Sequence, residues 1–559
     1  MEKIFRIFSK EYGNINQAAL LLGIFTLLSQ VLALFRDRAI AHFIGPSPML
    51  DAYYAAFRIP DLIFISIASL ASITVLIPFI VEKMDGGAVT PAARKFLNDV
   101  FTVFFAVMVL VAVIAYFLMP HLASFIAPGF SPEMQAKVFQ LSRIMLLSPI
   151  FMGLSSLFGT VTQLFKKFFL YSLSPIFYNF GIIIGVIFLY PLFGISGLAA
   201  GVALGAFMHF VLQAIGSSIS GFVPRFSMKI NFKDIKRAVL ISLPRTLGLS
   251  FNSIALICII AFASYLKAGS ISVFNFSFNL QSVPLNIIGI SYAVATFPVL
   301  ARAVALGKMD EFKANLKSAG KAIVFWSLPV TFLFIVLRAQ IVRVILGSGS
   351  FSWDNTRLVA ASLAVFSISV LAQGMTALLS RAFYANGNTK KPLIVNFLCS
   401  VLIIILSYTF LHCFEHFTYF RYFIESLFKV NDIPGTEILM LPLAYSVGTI
   451  LNFILHWVAV KRDFMPGEYF LGKTFFQSLG ASFFIGGVAY LGLNILSPIF
   501  GTTTFWGVFL QGFISGIFGI AAGILVLWLL KNQELQDLVK TMRSKFWRTK
   551  IAAPAEEGL

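Results

Sequence analysis

Charge is scarce in this sequence, and acidic charge is scarcer still. Only 12% of the 559 residues are charged, and 23 acidic side chains face 42 basic ones. A soluble globular chain carries about 25% charged residues, so an ordinary water-facing surface is excluded. Cysteine is nearly absent: Cys258, Cys399 and Cys413 stand on or beside apolar segments without metal-ligand spacing, which excludes a disulfide framework and a zinc site. Histidine is equally sparse. His412 and His416 lie four apart with no third ligand nearby, while His209 and His456 stand alone on apolar helices, where a buried hydrogen bond is the ordinary role. Neither a Ser-His-Asp arrangement nor a carboxylate pair stands out, so no enzyme activity, cofactor or metal is expected. One stretch, Gly467 to Thr474, formally matches a phosphate-binding loop. That motif works as the turn between a strand and a helix; here it joins two apolar runs, and Lys473 reads as one more basic residue of a membrane loop.

What the chain has in abundance is hydrocarbon: 58% hydrophobic residues and a mean hydropathy of +0.89. Runs of about 20 apolar residues are long enough to cross a bilayer as helices. Fourteen such runs recur, from 15–35 and 50–81 to 474–496 and 504–530, predicting an all-α integral membrane protein of fourteen transmembrane helices. The first is too long for a cleaved signal peptide and runs into Arg36-Asp37-Arg38, so it is expected to be retained. The net charge of +19 follows topology rather than a nucleic-acid partner. Most Lys and Arg fall in alternate turns and in the two tails, the bias expected when both termini are cytoplasmic.

Prolines mark an internal repeat. Pro175 and Asn179 in the fifth run follow Lys166-Lys167, as Pro392 and Asn396 in the eleventh follow Lys390-Lys391. Leu76-Ile77-Pro78-Phe79 closes the second run as Thr296-Phe297-Pro298-Val299 closes the eighth. Two six-helix lobes are expected, at 1–218 and 219–463, followed by helices thirteen and fourteen at 464–530 and a basic tail at 531–559. Six being even, the lobes insert in one orientation, a parallel pseudo-twofold repeat with the site expected between them. The tail from Lys531 to Lys550 reads as a basic amphipathic helix on the inner leaflet. The aromatic segment around Phe417 to Phe423 suits a membrane interface.

Function is expected where charge interrupts hydrocarbon. Between Ser29 and Asp61 stand Arg36, Asp37, Arg38, Asp51, Arg58 and Asp61, and ionisable groups at membrane depth normally face a partner or a polar cavity. Arg36 and Arg38 flank Asp37, which fits either a solvated rim with a local ion pair or a cavity lining. Arg58 and Asp61 are three apart and either neutralise each other or line the same cavity with Asp51. Arginine suits an oxyanion, which its planar fork binds in pairs. Arg143 and Arg245 either widen this positive patch or reach towards an interface.

In order and spacing the chain resembles the MurJ (MviN) family of lipid II flippases. The resemblance is carried by Ser29-Gln-Val-Leu-Ala-Leu-Phe-Arg36-Asp37, by Asp51-Ala-Tyr-Tyr-Ala-Ala-Phe-Arg-Ile-Pro60, and by Leu173-Ser-Pro175 with Asn179. Gly194-Ile-Ser-Gly-Leu-Ala-Ala-Gly201, Gly349-Ser-Phe-Ser-Trp-Asp354 and Arg381-Ala-Phe-Tyr-Ala385 with Asn388-Thr389-Lys-Lys-Pro392 extend it. It implies the two-lobed fold of the multidrug/oligosaccharidyl-lipid/polysaccharide exporter superfamily, with helices thirteen and fourteen forming a groove for a lipid tail. It implies as substrate lipid II, the undecaprenyl-pyrophosphate-linked peptidoglycan precursor, moved across the bacterial cytoplasmic membrane by alternating access, beside membrane lipids and cell-wall synthesis machinery. Another polyprenyl-pyrophosphate glycan, a drug exported against cations, or a non-transporting envelope scaffold are the other readings. Arg36 and Asp51 match charged cavity residues of the family, and Ser29 and Ser272 its polar ones. Departures are equally visible. Gln30, Phe64-Ile65, Ser69-Leu70 and Phe278-Asn279 stand where the family carries arginines and their neighbours, which leaves Asn279 as a neutral candidate contact and Arg58, Arg143 and Arg245 as compensating charges.

Overall fold

A computed structural model describes residues 15–68, 73–85, 90–165, 167–467, 471–501 and 504–546. Helices account for nearly all of them, and no β-strand occurs among the described residues. Eleven helices are long and apolar enough to cross a membrane, or twelve if the pair Trp353–Ser367 and Val370–Ala385, bent by 42°, is one broken span. The protein is therefore a multi-pass membrane protein. Two of the fourteen expected spans fall short of that test. The helix Ile15–Phe43 carries Arg36, Asp37 and Arg38 near its C-terminal end, and the run 50–81 is divided into Pro48–Ala56, Arg58–Ile63, a π-helical segment Phe64–Ala68 and Ile73–Glu82.

That division follows from the sequence. Pro60 has no N–H to give the carbonyl four residues earlier, and the freed Ala56 carbonyl accepts from the Ser142 hydroxyl at 3.0 Å. Pro175 is handled in the same way: the Tyr171 carbonyl accepts from Gln213 Nε2 at 3.4 Å. In hydrocarbon every backbone polar group needs such a partner, and at Pro60 and Pro175 a polar side chain on a neighbouring helix supplies it. Helix starts are equally legible. Pro48, Pro91 and Pro132 open helices whose preceding Ser47, Thr90 and Ser131 cap an amide of the first turn.

Two further π-helical segments, Gly185–Leu189 and Leu285–Ile290, interrupt the fifth and eighth spans. The segments 64–68 and 285–290 both precede, within the same expected run, the prolines Pro78 and Pro298 used as repeat markers. An i→i+5 turn inside a helix commonly accompanies a functional site.

The chain forms two compact units. One contains 1–283, 345–366 and 387–455; the other contains 284–344, 367–386 and 456–559. In the first, the helices Phe168–Ile184 and Ile195–Ile219 pack backbone to backbone through glycines. A Cβ placed on Gly185 would stand 2.6 Å from the Gly201 Cα, the close approach that small residues permit in membranes. In the second, Gly472–Phe500 and Phe505–Leu529 pack along each other, and the tail helix Gln533–Phe546 docks at their base. Leu535 there is buried against Phe325, Ala481 and Leu527. Thr474 donates to Glu534 at 2.8 Å, so the last residue of the phosphate-loop lookalike anchors the tail helix. The rest of that stretch includes 468–470, which lie outside the described residues, as does the tail beyond 546.

Candidate functional site

Ser29 and Arg36 are two turns apart on the helix Ile15–Phe43, hence on one face. The Arg36 guanidinium donates through Nε and Nη2 to Asp37 Oδ1, at 2.9 and 2.7 Å, and through Nη1 to Asn179 Oδ1 at 3.0 Å. Asn179 in turn donates to Ser29 Oγ at 3.3 Å. Asp37 is buried, and its second oxygen accepts from Asn279 Nδ2 at 3.0 Å. The ion pair read in the sequence is therefore present, but it is enclosed by two asparagines from other helices rather than solvated at a rim.

These groups line a cavity of about 320 Å³ together with Tyr53, Tyr54, Arg58, Asp61, Tyr178 and Asn275. Arg58 turns to Asn275, donating through Nη2 at 2.6 Å, not to Asp61. Its Nε is buried without a hydrogen-bond partner, as is the Tyr54 hydroxyl. A guanidinium has five N–H donors. Arg36 commits three of them and Arg58 one, so six remain at one chamber. A buried donor left unpaired costs about 1–3 kcal/mol, a cost that an oxyanion placed between the two arginines removes.

The other candidate residues fall elsewhere. Asp51 and Ser272 are buried and bound to each other: Asp51 accepts from Gly269 N at 2.6 Å, from Ser272 N at 2.7 Å and from Ser272 Oγ at 2.6 Å. The carboxylate thus caps the start of the helix Ser270–Pro284, which carries Asn275 and Asn279 into the cavity. Arg143 lies 4.3 Å from the Tyr116 ring and 5.1 Å from the Phe139 ring, and donates to the Tyr116 carbonyl at 3.1 Å. It does not line the cavity. The Arg245 side chain lies outside the described residues. Ser29 lines a second cavity of about 590 Å³, together with Gln30, Phe64 and Ile65, so most of the departures from the expected arginines gather there.

Asn275 is not singled out by the sequence; Tyr54 enters only through the family resemblance, and Asn179 only there and as a repeat marker. The available signal was a polar side chain inside an apolar run. His209 and His456 bond Ser155 and Ser380, as lone histidines in apolar helices are expected to do. Among the described residues no group of three or more His, Cys, Asp or Glu is placed to hold a metal ion.

A helical membrane fold with a buried, charged chamber on broken helices is an arrangement suited to moving a polar group across a bilayer. The fold is similar to a solved lipid II flippase MurJ in an inward closed conformation, at TM-score 0.72 and 22% identity over 93% of this chain and all of that one. It is also similar to an inward-facing multidrug transporter of the MOP superfamily, at TM-score 0.62 and 17% identity over 78% of this chain and 94% of that one. The family described as lipid II flippase MurJ matches residues 40–510, and the chain belongs to it. Among relatives, the lipid II flippase MurJ of Burkholderia cenocepacia is 26% identical over 499 residues, 85% of this chain and 90% of that protein. The probable lipid II flippase MurJ of Rhizobium tropici is 28% identical over 383 residues, 66% of this chain and 70% of that protein.

Proposed function

We propose that this protein flips lipid II from the inner to the outer leaflet of the bacterial cytoplasmic membrane by alternating access of two six-helix lobes, both termini being cytoplasmic. The pyrophosphate is held by Arg36 and Arg58, with Asn279 beside them and Ser29 at the neighbouring chamber. Asp51 and Ser272 act by fixing the helix that carries Asn275 and Asn279. The polyprenyl chain stays in lipid, along helices thirteen and fourteen. No bond is made or broken in this cycle, so the protein is a carrier and not an enzyme.

One observation carries the site: two arginines with six uncommitted donors, Arg58 Nε among them, converge on one buried cavity. The test is flipping of fluorescent lipid II in proteoliposomes containing wild type, R36A or R58A, with pyrophosphate competition for binding. Both variants are expected to lose binding and flipping together. Retention of wild-type affinity by both would refute the assignment. Complementation of cells depleted of their lipid II flippase gives the same comparison in vivo, where binding of a different undecaprenyl-linked sugar without rescue would mark another glycolipid as substrate.

A further inference from the structure

His209 stands near the middle of the membrane helix Ile195–Ile219 and lines the second cavity, of about 590 Å³. Ser155, mid-way along Leu147–Leu164, places its Oγ 2.6 Å from His209 Nδ1 and 3.3 Å from the His209 carbonyl oxygen. A hydroxyl has one proton to donate. Both contacts are satisfied together when Nδ1–H donates to Ser155 Oγ and the hydroxyl donates to the carbonyl. That tautomer leaves a lone pair on Nε2, and no other hydrogen bond to the ring is present among the described residues.

We propose that His209 is a proton-binding site of the transport cycle, its Nε2 taking up a proton when water fills this cavity and returning it when the cavity closes. The inference rests on the flippase reading for its consequence, not for its chemistry. The cavity holds many waters' volume, yet Phe25, Phe64, Ile65 and Met152 make its walls largely apolar. An imidazolium in a dry apolar chamber is costly and in a hydrated one is not, so proton occupancy follows access to water. Tyr171 is the other titratable group on the lining. No charged side chain joins it from Ile15–Phe43, from Phe64–Ala68, from Leu147–Leu164 or from Phe168–Ile184; Leu249 is the contribution of Phe232–Ala263, where the Arg245 side chain is outside the described residues. Arg36 and Asp37 face the neighbouring cavity, with Asp61. Ser29, on the same lining as His209, is linked through Asn179 to Arg36, so the water that reaches His209 lies beside a chain of hydrogen bonds that ends at the arginine of the neighbouring cavity.

The experiment is pH-difference infrared spectroscopy of the imidazole bands in lipid nanodiscs for wild type, H209Q and S155A, paired with lipid II flipping across the same pH range. A band titrating between about pH 4 and pH 8, absent from H209Q and shifted in S155A, is the expected result, with H209Q flipping at a rate that no longer varies with pH. A wild-type spectrum without a His209 band, or an H209Q flipping profile superimposable on wild type, overturns the proposal. If H209Q does not fold, the S155A shift decides: an unmoved band overturns it. A wild type that flips no lipid II at any pH overturns the substrate reading, while the titration still decides the proton site.

Discussion

Replacing Asp51 by alanine separates a structural role from a ligand role. Its carboxylate accepts three hydrogen bonds of 2.6–2.7 Å from Gly269 and Ser272. Hydrogen bonds to a charged group contribute about 1.5–3 kcal/mol each, and a buried amide left unpaired costs about 1–3 kcal/mol. The negative charge at a helix N-terminus adds about 0.3–2 kcal/mol. The Ser272 hydroxyl can turn to another acceptor, but the Gly269 and Ser272 amides cannot. D51A is therefore expected to destabilise the protein by about 3–5 kcal/mol. D51N, which keeps an acceptor but presents an NH₂ group to a second N–H, should cost roughly half of that. S272A, which leaves both amides bonded, should cost about 1 kcal/mol. Denaturant unfolding in mixed micelles measures the order, and lipid II binding by the folded fraction measures the rest. The cap predicts D51A strongly destabilised with affinity retained wherever it folds. Wild-type stability with affinity down about tenfold, equivalent to 1.4 kcal/mol, would refute the cap and make Asp51 a head-group contact.

G201A inserts a methyl group where the helix Phe168–Ile184 and its π-helical continuation leave no room, the added Cβ standing 2.5 Å from the Gly185 Cα. A loss of about 1–3 kcal/mol is expected, read as a lowered melting temperature. T474V removes the hydroxyl that holds Glu534, worth about 1 kcal/mol; hydrogen exchange should rise in Gln533–Phe546 while the membrane helices stay protected. Arg357 donates to both Asp432 oxygens, at 2.8 and 2.6 Å, and holds that loop carboxylate below its ordinary value. A depressed carboxylate stabilises above its unfolded value and loses that contribution as pH falls through the folded one. D432N should therefore match wild type in strong acid and fall slightly below it at neutral pH, seen by unfolding across pH.

Much of this was legible because membranes constrain sequence tightly. Apolar length marks the spans, eleven or twelve of which are long and apolar enough to cross a membrane among the described residues. The ionisable run from Arg36 to Asp61 pointed to the cavity. What could not be read was which charge meets which partner. Asp51 is a cap because Gly269 and Ser272 reach it from 218 and 221 residues away, a pairing that no local spacing encodes. Arg36-Asp37 looks like a rim pair until Asn179 and Asn279 enclose it, and Arg58 has a nearer acid in sequence than the asparagine it bonds. The π-helical segments Phe64–Ala68, Gly185–Leu189 and Leu285–Ile290 carry no marker in the apolar pattern.

The formal charge of the cavity lined by Arg36 and Arg58 gives the proposed transport cycle a direction. Arg36 and Arg58 are balanced by Asp37 and Asp61 on the same lining, so on the proposed reading the empty carrier brings no net charge through this chamber and the loaded one carries that of the pyrophosphate. An anion moving from the inner to the outer leaflet runs with an inside-negative potential, and each charge is worth about 2.3 kcal/mol at 100 mV. The return of the empty carrier is then indifferent to voltage, so potential accelerates the productive half-cycle without opposing the reset. Imposing an inside-negative potassium diffusion potential on proteoliposomes should speed flipping, and D61N, which leaves one arginine uncompensated, should blunt that response by reducing the net charge of the loaded state. Equal voltage sensitivity in wild type and D61N would show that Asp61 does not travel with the head group, and the charge balance drawn around this cavity would have to be abandoned.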